Sequence, residues 1–367
     1  MKEGWEYKKF ESCLAKVPKQ VQVKSKDYKK TGRFPIVSQE SELISGYWDD
    51  ETIVFKHNEP VIIFGDHTKN IKYIDFDFVV GADGTHILST KDDIIAKYFF
   101  YALKSVKLRN LGYARHYKLL KEKYIPVPPL SEQQHIVDYL DAAFAKIDAM
   151  KANAEKSLSE AKVLFQASLK EMLEPKEGWE EKTIGEVSLL KSGNSDANKS
   201  KPGSLPYVKV GDMNLKGNET YITVSSTYVD RQDNIKNIFP IGTLIFPKRG
   251  GAIFTNKKRL TEIEICCDLN IMGVIPNKNS VLPLFLYYFF NTIDFNIFKD
   301  EGASIPQINN KNIAPIMICL PSLSEQQSIV ETLDSLKSKV DRLQANFEKI
   351  SQECDALKQA ILRQIFE

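Results

Sequence analysis

The chain has 367 residues, more than one ordinary hydrophobic core accommodates, and this length indicates two or more domains. Hydrophobic residues make up 43% and charged residues 27% of it, as is typical of a globular protein, and no apolar run is long enough to span a bilayer. No signal peptide is apparent, and the five cysteines form neither a CxxC pair nor a zinc-like spacing. These features predict a cytoplasmic protein with reduced thiols.

The first predicted domain, residues 1–127, has the pattern of mixed strands and short helices. Apolar runs at 53–55, 61–64 and 76–80 predict buried strands, and the glycine and aspartate that follow residue 64 predict a turn. Residues 94–103 have helical periodicity. With 22 Lys and Arg against 17 Asp and Glu, this domain is basic, which suits contact with nucleic acid.

Two polar segments of this domain carry side chains of the types that commonly contact nucleic acids, namely the turn after residue 64 and the loop at 112–118. Arginine forms two hydrogen bonds with guanine, whereas lysine suits phosphate. For most single lysines, however, a solvated surface charge is the simpler interpretation. The candidate DNA contacts are His67, Thr68, Lys69, Lys72, Arg115, His116 and Lys118. Candidates for phosphate contact alone are Lys24, Lys26, Lys29, Lys30 and Arg33.

Residues 128–175 form the second segment, a long helix that is acidic, with 5 Lys and Arg against 8 Asp and Glu. Ser131 suits the N-cap and Gln134 completes a capping box. Apolar residues recur in alternating steps of four and three, which is typical of a coiled-coil seam, with a slip of one residue near Leu158. The predicted seam comprises Ile136, Leu140, Ala143, Ile147, Met150 and Ala154, then Leu158, Ala161, Phe165, Ser168 and Met172.

The third segment, residues 176–321, parallels the first. Residues 206–212 and 242–246 predict strands, and residues 282–290 predict a helix. The loop at 302–309 takes the place that the loop at 112–118 has in the first domain, but its side chains differ. The candidate DNA contacts are Lys248, Arg249, Lys257, Lys258, Arg259, Gln307 and Asn309, of which Arg249, Gln307 and Asn309 suit base edges, as does Arg115 in the first domain.

The fourth segment, residues 322–367, repeats the long acidic helix. The sequence LSEQQ occurs at 130–134 and again at 323–327, and a Gly-Trp pair begins both globular segments at 4–5 and 178–179. Ser324 and Gln327 are the corresponding predicted cap. Two duplicated helices that pair within one molecule must run antiparallel. The sequence therefore predicts an α+β protein with a pseudo-two-fold internal repeat and an antiparallel coiled coil. The predicted seam of this helix comprises Ile329, Leu333, Leu336, Val340, Leu343, Phe347, Ile350, Cys354, Leu357 and Ile361.

Motifs of catalysis are mostly missing from the sequence. It contains no phosphate-binding GxxxxGK[ST] loop, no GxSxG, no HExxH and no metal-ligand spacing of histidines. Acidic-x-Lys triplets, which some nucleases use, occur at 6–8 and 180–182. A nuclease therefore stays an alternative, as does a coiled-coil scaffold that binds no DNA, but a noncatalytic DNA-binding chain without a cofactor is the favoured interpretation.

Taken together, these motifs resemble the specificity (S) subunit of Type I restriction–modification systems. The resemblance rests on the helix entries at 128–134 and 320–327, on the two Gly-Trp pairs, and on the segments GDHT (65–68), GADG (81–84) and GYARHYK (112–118). It implies two target recognition domains, each of which reads one half of a split site in double-stranded DNA. It also implies that the helices set the spacer between the half-sites and dock adenine-N6 methyltransferase (M) subunits, which motor-nuclease (R) subunits then join.

Overall fold

The computed structural model describes residues 4–109, 111–112, 114–194, 203–231, 236–298 and 305–367. The chain forms two compact units. The first unit comprises residues 1–156 and 346–367, and the second comprises residues 157–345. Each unit combines sheets with segments of both long helices, which confirms the α+β class. The predicted segment boundaries after residues 127, 175 and 321 stay a prediction.

The first unit is built from two sheets and a separate strand pair. Its strands are β1 (Glu6–Lys9), β2 (Leu14–Ala15), β3 (Gln22–Val23), β4 (Phe34–Val37), β5 (Gly46–Trp48), β6 (Val54–Phe55), β7 (Val61–Gly65), β8 (Ile71–Ile74), β9 (Phe78–Gly81), β10 (Thr85–Thr90) and β11 (Tyr124–Val127). Its helices are α1 (Ala96–Ser105), α2 (Tyr117–Lys121) and the start of α3 (Leu130–Met172). One sheet has the order β2-β10-β7-β8, the other has the order β3-β9-β4-β5 with β6 beside β9, and β1 pairs with β11.

The second unit also has two sheets and a separate strand pair, but its sheets contain different numbers of strands. Its strands are β12 (Glu180–Thr183), β13 (Ser188–Ser192), β14 (Leu205–Val208), β15 (Tyr221–Ile222), β16 (Tyr228–Val229), β17 (Leu244–Pro247), β18 (Arg259–Thr261), β19 (Cys266–Cys267), β20 (Ile271–Pro276) and β21 (Met317–Leu320). Its further helices are α4 (Ile184–Val187), α5 (Pro283–Asn291), α6 (Asn310–Ile313) and most of α7 (Leu323–Phe366), which ends in the first unit. The sheets have the orders β13-β20-β17-β18-β15 and β16-β14-β19, and β12 pairs with β21.

The central strands β7 and β17 are buried on both faces, which explains why their sequences are uninterrupted apolar runs. Ile62 and Phe64 face one hydrophobic cluster, whereas Val61 and Ile63 face another. These two strands, the strand predicted at 76–80 and the helices α1 and α5 are confirmed to within about three residues. Of the strand predicted at 53–55, only β6 is a strand, because Ile53 ends a short 3-10 helix.

A fully buried glutamine anchors the start of each long helix. In the first unit, Gln133 Nε2 donates to the carbonyl oxygens of Asp93 and Pro128 at 2.9 and 2.8 Å. Its Oε1 accepts from Ile95 N at 2.8 Å, directly before α1. One side chain thus satisfies three buried backbone groups and joins α1 to α3.

Gln326 makes the same three contacts in the second unit. It donates to the carbonyl oxygens of Ser280 and Pro321, each at 3.0 Å, and accepts from Leu282 N at 2.9 Å, directly before α5. Gln133 and Gln326 are the fourth residues of the two LSEQQ sequences. We refer to them as the glutamine anchors.

The repeated tryptophan and the repeated glutamate contact each other within each unit. Trp5 Nε1 donates to Glu132 Oε1 at 3.0 Å, and Trp179 Nε1 donates to Glu325 Oε1 at 3.2 Å. Each bond joins the chain just before β1 or β12 to the first turn of α3 or α7. It explains why the Gly-Trp pair recurs together with LSEQQ.

The predicted capping boxes are wrong. Ser131 and Ser324 lie inside the helices, because α3 and α7 each begin one residue earlier. At α7 the N-cap is Ser322, whose Oγ accepts from Glu325 N at 3.2 Å. The two glutamines that were expected to complete the boxes donate instead to a carboxylate four residues later: Gln134 to Asp138 and Gln327 to Glu331.

The seam of α3 runs without the predicted slip. Met150 is 60% exposed and Leu357 of α7 is 49% exposed, so neither belongs to a buried seam. The phase that assigned Ala143 and Met150 to the seam is displaced by one residue. The positions that continue the alternation of four and three, all buried or half-buried, are Leu140, Phe144, Ile147, Lys151, Ala154, Leu158, Ala161, Phe165, Ser168 and Met172.

Within the first unit, α3 and α7 pair antiparallel. Asp148 accepts from Lys358 at 2.5 Å, and Lys151 lies 3.6 Å from Asp355, so residue numbers rise along one helix and fall along the other. Phe144 lies beneath the Lys358 ammonium at 5.3 Å, which covers this part of the seam.

Within the second unit the two helices also run antiparallel. Lys162 Nζ donates to Gln344 Oε1 at 2.8 Å, and Leu169 shares a hydrophobic cluster with Leu333. Counted from LSEQQ, Gln344 corresponds to Lys151 and Lys162 corresponds to Asp355. The same pair of helix positions is therefore an ion pair in one unit and a neutral-acceptor hydrogen bond in the other.

None of the helices in the described residues is long and apolar enough to cross a membrane. The five cysteines are free thiols, as predicted.

Candidate nucleic-acid interface

In the first unit, Asp66 holds together the two segments that the sequence predicted to bind DNA. It follows β7, and only 5% of its side chain is exposed. Its Oδ1 accepts from Tyr117 N at 2.8 Å, and its carbonyl accepts from His116 N at 2.8 Å. The turn at 65–70 and the loop before α2 are therefore fixed next to each other.

His116 completes this connection and is fully buried. Leu111 N donates to its Nε2 at 3.1 Å, so that nitrogen is the acceptor and Nδ1, 3.0 Å from the Asp66 carbonyl, carries the proton. An imidazole with both nitrogens hydrogen-bonded therefore positions the loop. Tyr113 of the same loop lies outside the described residues.

Thr68 and Lys72 hold the turn at 65–70 to the neighbouring loop after β4. Thr68 Oγ1 donates to the Gln39 carbonyl at 2.6 Å. Lys72 is 7% exposed, and its Nζ donates to the carbonyls of Ser38, at 2.8 Å, and Glu42. Burial lowers the pKa of Lys72. The hydrogen-bonding atoms of both side chains are thus engaged with the protein's own backbone.

The remaining candidates of the first unit lie around this connection. Arg115 is 72% exposed, with Nε 3.9 Å from Asp66 Oδ2, and Lys118 is exposed on α2. Lys69 occupies the tip of the turn with a φ of 61°, and His67 is half-buried beside it. The structure therefore brings the turn and the loop predicted from sequence next to each other.

His86 lies beside this turn and loop, although it was not among the residues predicted from sequence. Its ring stacks on Tyr117 with centroids 4.0 Å apart, and its Nε2 lies 3.4 Å from Asp66 Oδ2. One signal in the sequence could have pointed to His86, namely the aspartate of the GDHT segment. A carboxylate that is buried at a turn requires hydrogen-bond donors or cations nearby.

The basic run at 24–33 is exposed at each of its five cations. Lys29 pairs with Asp49 at 2.6 Å and lies over the Trp48 ring at 5.6 Å. Arg33 lies 4.0 Å from Glu51. Two of the five candidates for phosphate contact thus have carboxylate partners already.

In the second unit, two predicted segments pair as a short antiparallel ribbon. Ile308 N donates to the Lys248 carbonyl and Gly250 N donates to the Pro306 carbonyl, both at 2.8 Å. Arg249 therefore lies directly opposite Gln307, 58 positions later in the sequence. Residues 302–304 of the predicted loop lie outside the described residues.

The exposed side chains of this ribbon are Arg249, Gln307 and Asn309. Gln307 Nε2 donates to Asn309 Oδ1 at 3.1 Å. Within the described residues, the Arg249 guanidinium has neither a hydrogen bond nor an ion pair. The three candidates for base edges in this segment are thus brought together.

Three other cations of the second unit are turned inward. Lys248 is 7% exposed, and its Nζ donates to Ser192 Oγ at 2.7 Å. Burial, and secondarily the neighbouring Arg249, lowers the pKa of Lys248. Arg259 is half-buried, and its guanidinium donates to three backbone carbonyls, those of Met213, Asn218 and Lys258.

Lys258 is the most deeply buried of these cations, with 1% exposure. Its Nζ donates to Asn256 Oδ1 and to the Ile293 carbonyl, both at 2.7 Å, and lies 4.2 Å from the centre of the Phe295 ring. Burial lowers the pKa of Lys258 to about 8, although Asp294 opposes the shift. Lys257, by contrast, is half-exposed and donates to Asn214.

The triplets that suggested a nuclease are ion pairs at the edges of the strand pairs. Lys8 lies 3.3 Å from Glu6 and 2.6 Å from Asp93, and Lys182 lies 2.7 Å from Glu180. The described residues contain no group of three or more His, Cys, Asp or Glu side chains placed to hold a metal ion.

The family model described as Type I restriction modification DNA specificity domain matches residues 2–159 and again residues 176–352. The chain belongs to this Type I restriction–modification DNA specificity family. The predicted resemblance and the internal repeat are both confirmed.

Relatives of this DNA specificity chain carry the same description. It is 27% identical over 346 residues to the specificity subunit of the Type I restriction enzyme EcoR124I/EcoR124II of Escherichia coli, a match that covers 86% of this chain and 82% of the relative. It is 25% identical over 296 residues to a putative Type I restriction enzyme specificity subunit of Haemophilus influenzae, which covers 76% of this chain and 75% of the relative. Neither the nuclease nor the scaffold alternative finds support among them.

Solved structures share the fold of this specificity chain. One, described as the structural basis underlying complex assembly and conformational transition of the type I R-M system, has a TM-score of 0.73, 18% identity, and coverage of 99% of this chain and 97% of that one. The HsdS subunit from Thermoanaerobacter tengcongensis has a TM-score of 0.53 at 19% identity, with the same coverage. At these identities the likeness concerns the fold.

Proposed function

We propose that this chain is the noncatalytic subunit that gives a Type I restriction–modification complex its DNA sequence specificity. Each unit contributes one recognition face, and the two faces read the two halves of a split site in double-stranded DNA. The observation that supports this most directly is the contrast within the repeat. The glutamine anchors and the Trp–Glu bonds are the same in both units, whereas the exposed polar turns differ.

The contact set that we propose is narrower than the one predicted from sequence. In the first unit it comprises His67, Lys69, Arg115 and Lys118, and in the second Lys257, Arg249, Gln307 and Asn309. The hydrogen-bonding groups of the other candidates are engaged inside the protein, so we assign them to positioning these faces: Thr68, Lys72, His116, Lys248, Lys258 and Arg259.

The paired helices would set the spacing between the two half-sites and dock the partner subunits. Their net charge is negative, so phosphate does not attract them, and they carry exposed apolar side chains such as Val163 and Leu164. The partners in this proposal are methyltransferase (M) subunits, which supply S-adenosylmethionine chemistry on adenine N6, and motor-nuclease (R) subunits. The specificity chain itself binds no cofactor in this proposal.

A segment exchange tests the function. Residues 1–127 are replaced by the corresponding segment of a family member of different sequence, and methylated adenines are mapped in the DNA of cells that carry the chimaera and the partner subunits. One half of the methylated site should change while the other half and the spacer are retained. A change in both halves, or in neither, would contradict the proposal.

Affinity for DNA should also fall steeply with salt, because contacts to phosphate release counterions. The variant to compare with the wild type has exposed Lys118 and half-exposed Lys69 and Lys257 changed to neutral residues. This change should flatten the dependence of log affinity on log salt by roughly one unit for each phosphate that is no longer neutralised. An unchanged slope would exclude these lysines as phosphate contacts.

A further inference from the structure

The short ribbon of the second unit, residues 248–250 paired with residues 306–308, has the form of a base-reading device. The bonds from Ile308 N to the Lys248 carbonyl and from Gly250 N to the Pro306 carbonyl flank one residue pair, Arg249 and Gln307. In an antiparallel ladder such a pair, which exchanges no bonds of its own, has its side chains closest together and on one face.

The spacing of this pair suits neighbouring base pairs. Directly opposite side chains have Cβ atoms about 4.5–5.5 Å apart, and successive base pairs of B-DNA are separated by about 3.4 Å. The major groove admits a two-stranded ribbon. Two long side chains that start this close together can therefore reach two adjacent base pairs, but they cannot easily skip one.

The chemistry of the pair distinguishes the two bases. Arg249 is exposed, and within the described residues nothing occupies its guanidinium, whose fork geometry matches O6 and N7 of guanine. A glutamine amide matches N6 and N7 of adenine. The Gln307 amide donates one hydrogen to Asn309 Oδ1 at 3.1 Å, which leaves its Oε1 and its other hydrogen for the base.

Asn309 thereby orients the amide before DNA is bound. A free glutamine side chain loses rotamer entropy when it binds, and a preorganised one loses less. The ribbon is itself fixed to β13, because Lys248 Nζ donates to Ser192 Oγ at the end of that strand. The Lys248 carbonyl also accepts a hydrogen bond from Ile308 N. The two side chains thus project from a fixed backbone.

We infer that the second unit reads a guanine and an adenine at adjacent base pairs, on the same or opposite strands, through Arg249 and Gln307, with Asn309 as the positioning residue. This inference rests on the proposed function, since it names the bases that one of the two proposed faces recognises.

Substitutions at Arg249 and Gln307 test it, in the full chain together with its methyltransferase partners. Methylated adenines are mapped in cells that carry the wild type, Arg249→Gln, Gln307→Ala, Asn309→Ala or the control Lys278→Ala. Lys278 is an exposed lysine of the same unit that lies after β20, at the opposite end of β17 from Lys248.

The wild-type site should contain adjacent guanine and adenine in one half. Gln307→Ala should relax the adenine position alone, with discrimination reduced roughly 5- to 150-fold, the range for one bidentate contact. Asn309→Ala should relax the same position less. Arg249→Gln should change the preferred guanine to adenine, and a gained preference is a result that a misfolded variant does not give. Lys278→Ala should leave the site unchanged.

Three results would overturn the inference. The first is a half-site that these variants alter but that lacks adjacent guanine and adenine. The second is relaxed specificity at positions that are not neighbours. The third is a uniform loss of methylation with no change of site, which is the effect expected for phosphate contacts. Failure of the proposed function is distinct, because deletion of the whole chain would then leave the methylation pattern of the cell unchanged.

Discussion

The two units agree in the bonds that attach the long helices and differ in the polar turns and in the groups that fix those turns. In each unit a buried glutamine, a Trp–Glu bond and a Tyr–Asp bond attach a long helix to the shorter helix α1 or α5 and to the chain before β1 or β12. The Tyr–Asp bond joins Tyr101 to Asp141 in the first unit and Tyr288 to Asp334 in the second. The exposed turns are fixed in unrelated ways, by the Asp66 and His116 side chains in the first unit and by backbone bonds of a ribbon in the second.

This difference indicates how one frame can carry different recognition surfaces. None of the bonds that attach the helices involves a side chain of the exposed turns. A turn can therefore change its side chains without weakening the attachment. If the roles are divided in this way, substitutions at the attachment should lower stability most, and substitutions at exposed residues of the turns should change DNA binding instead.

Removal of a glutamine anchor should be the most damaging change, and equally so in both units. Gln133→Ala and Gln326→Ala should each lower the free energy of unfolding of the affected unit by about 3–5 kcal/mol, because two carbonyls and one N–H are left buried without a partner. Urea denaturation measures the loss. The neighbouring exposed glutamines provide the control, and Gln134→Ala and Gln327→Ala should cost less than about 0.5 kcal/mol. Equal losses at anchor and neighbour would refute the anchor role.

Lys258 should make the stability of the second unit depend on pH. Its folded pKa of about 8 lies below the ordinary 10.5, so between these values the unfolded chain binds more protons and stability increases as pH rises. Relative to Lys258→Met, which does not titrate, the wild type should gain up to about 3 kcal/mol from pH 8 to 10.5. The difference is measured by urea denaturation at several pH values. A constant difference across this range would show that the lysine is not desolvated.

Substitutions of Lys69 and Lys72 should affect different properties of the first unit, DNA binding for Lys69 and stability for Lys72. Lys72→Met should lower the free energy of unfolding by about 1–3 kcal/mol, since two backbone carbonyls lose their donor. Lys69→Asn should leave stability unchanged, because asparagine tolerates the positive φ of 61°, but should weaken DNA binding and reduce its salt dependence. Thermal unfolding and DNA titration on both variants test this, and the opposite assignment would contradict the proposed contact set.

The smallest expected effect concerns the helix pair. Gln344→Glu should turn the Lys162 hydrogen bond into an ion pair like that of Lys151 and Asp355 in the first unit. An exposed pair of this kind contributes about 0.5 kcal/mol or less, and salt should remove the gain. Urea denaturation at low and high salt measures it. A gain that survives high salt would point to packing instead of charge.

The local elements were largely predictable from sequence. β7 and β17 are uninterrupted apolar runs, and the LSEQQ repeat marks the start of each long helix. Both signals were readable because burial of a strand and the start of a helix depend on residues that are close together in the sequence. Even so, the N-cap lies two residues before the predicted serine, at Ser322 instead of Ser324 in α7. Leu130 and Leu323 begin the helices, and the residue of the motif that matters most, the fourth, satisfies backbone groups some 40 positions away in the sequence.

The sequence by itself determined the internal repeat, the two long helices and, through its motifs, the family, because duplication and motif spacing are properties of residue order. Only the tertiary structure decided which cations face solvent. Lys69 and Lys72 are only three positions apart, and Lys248 and Arg249 are adjacent. In each pair one cation, Lys72 or Lys248, is buried, whereas the other is more exposed. A lysine's role depends on whether distant carbonyls or hydroxyls, such as Ser38 or Ser192, come within reach of its ammonium, and that distance exists only once the chain has folded.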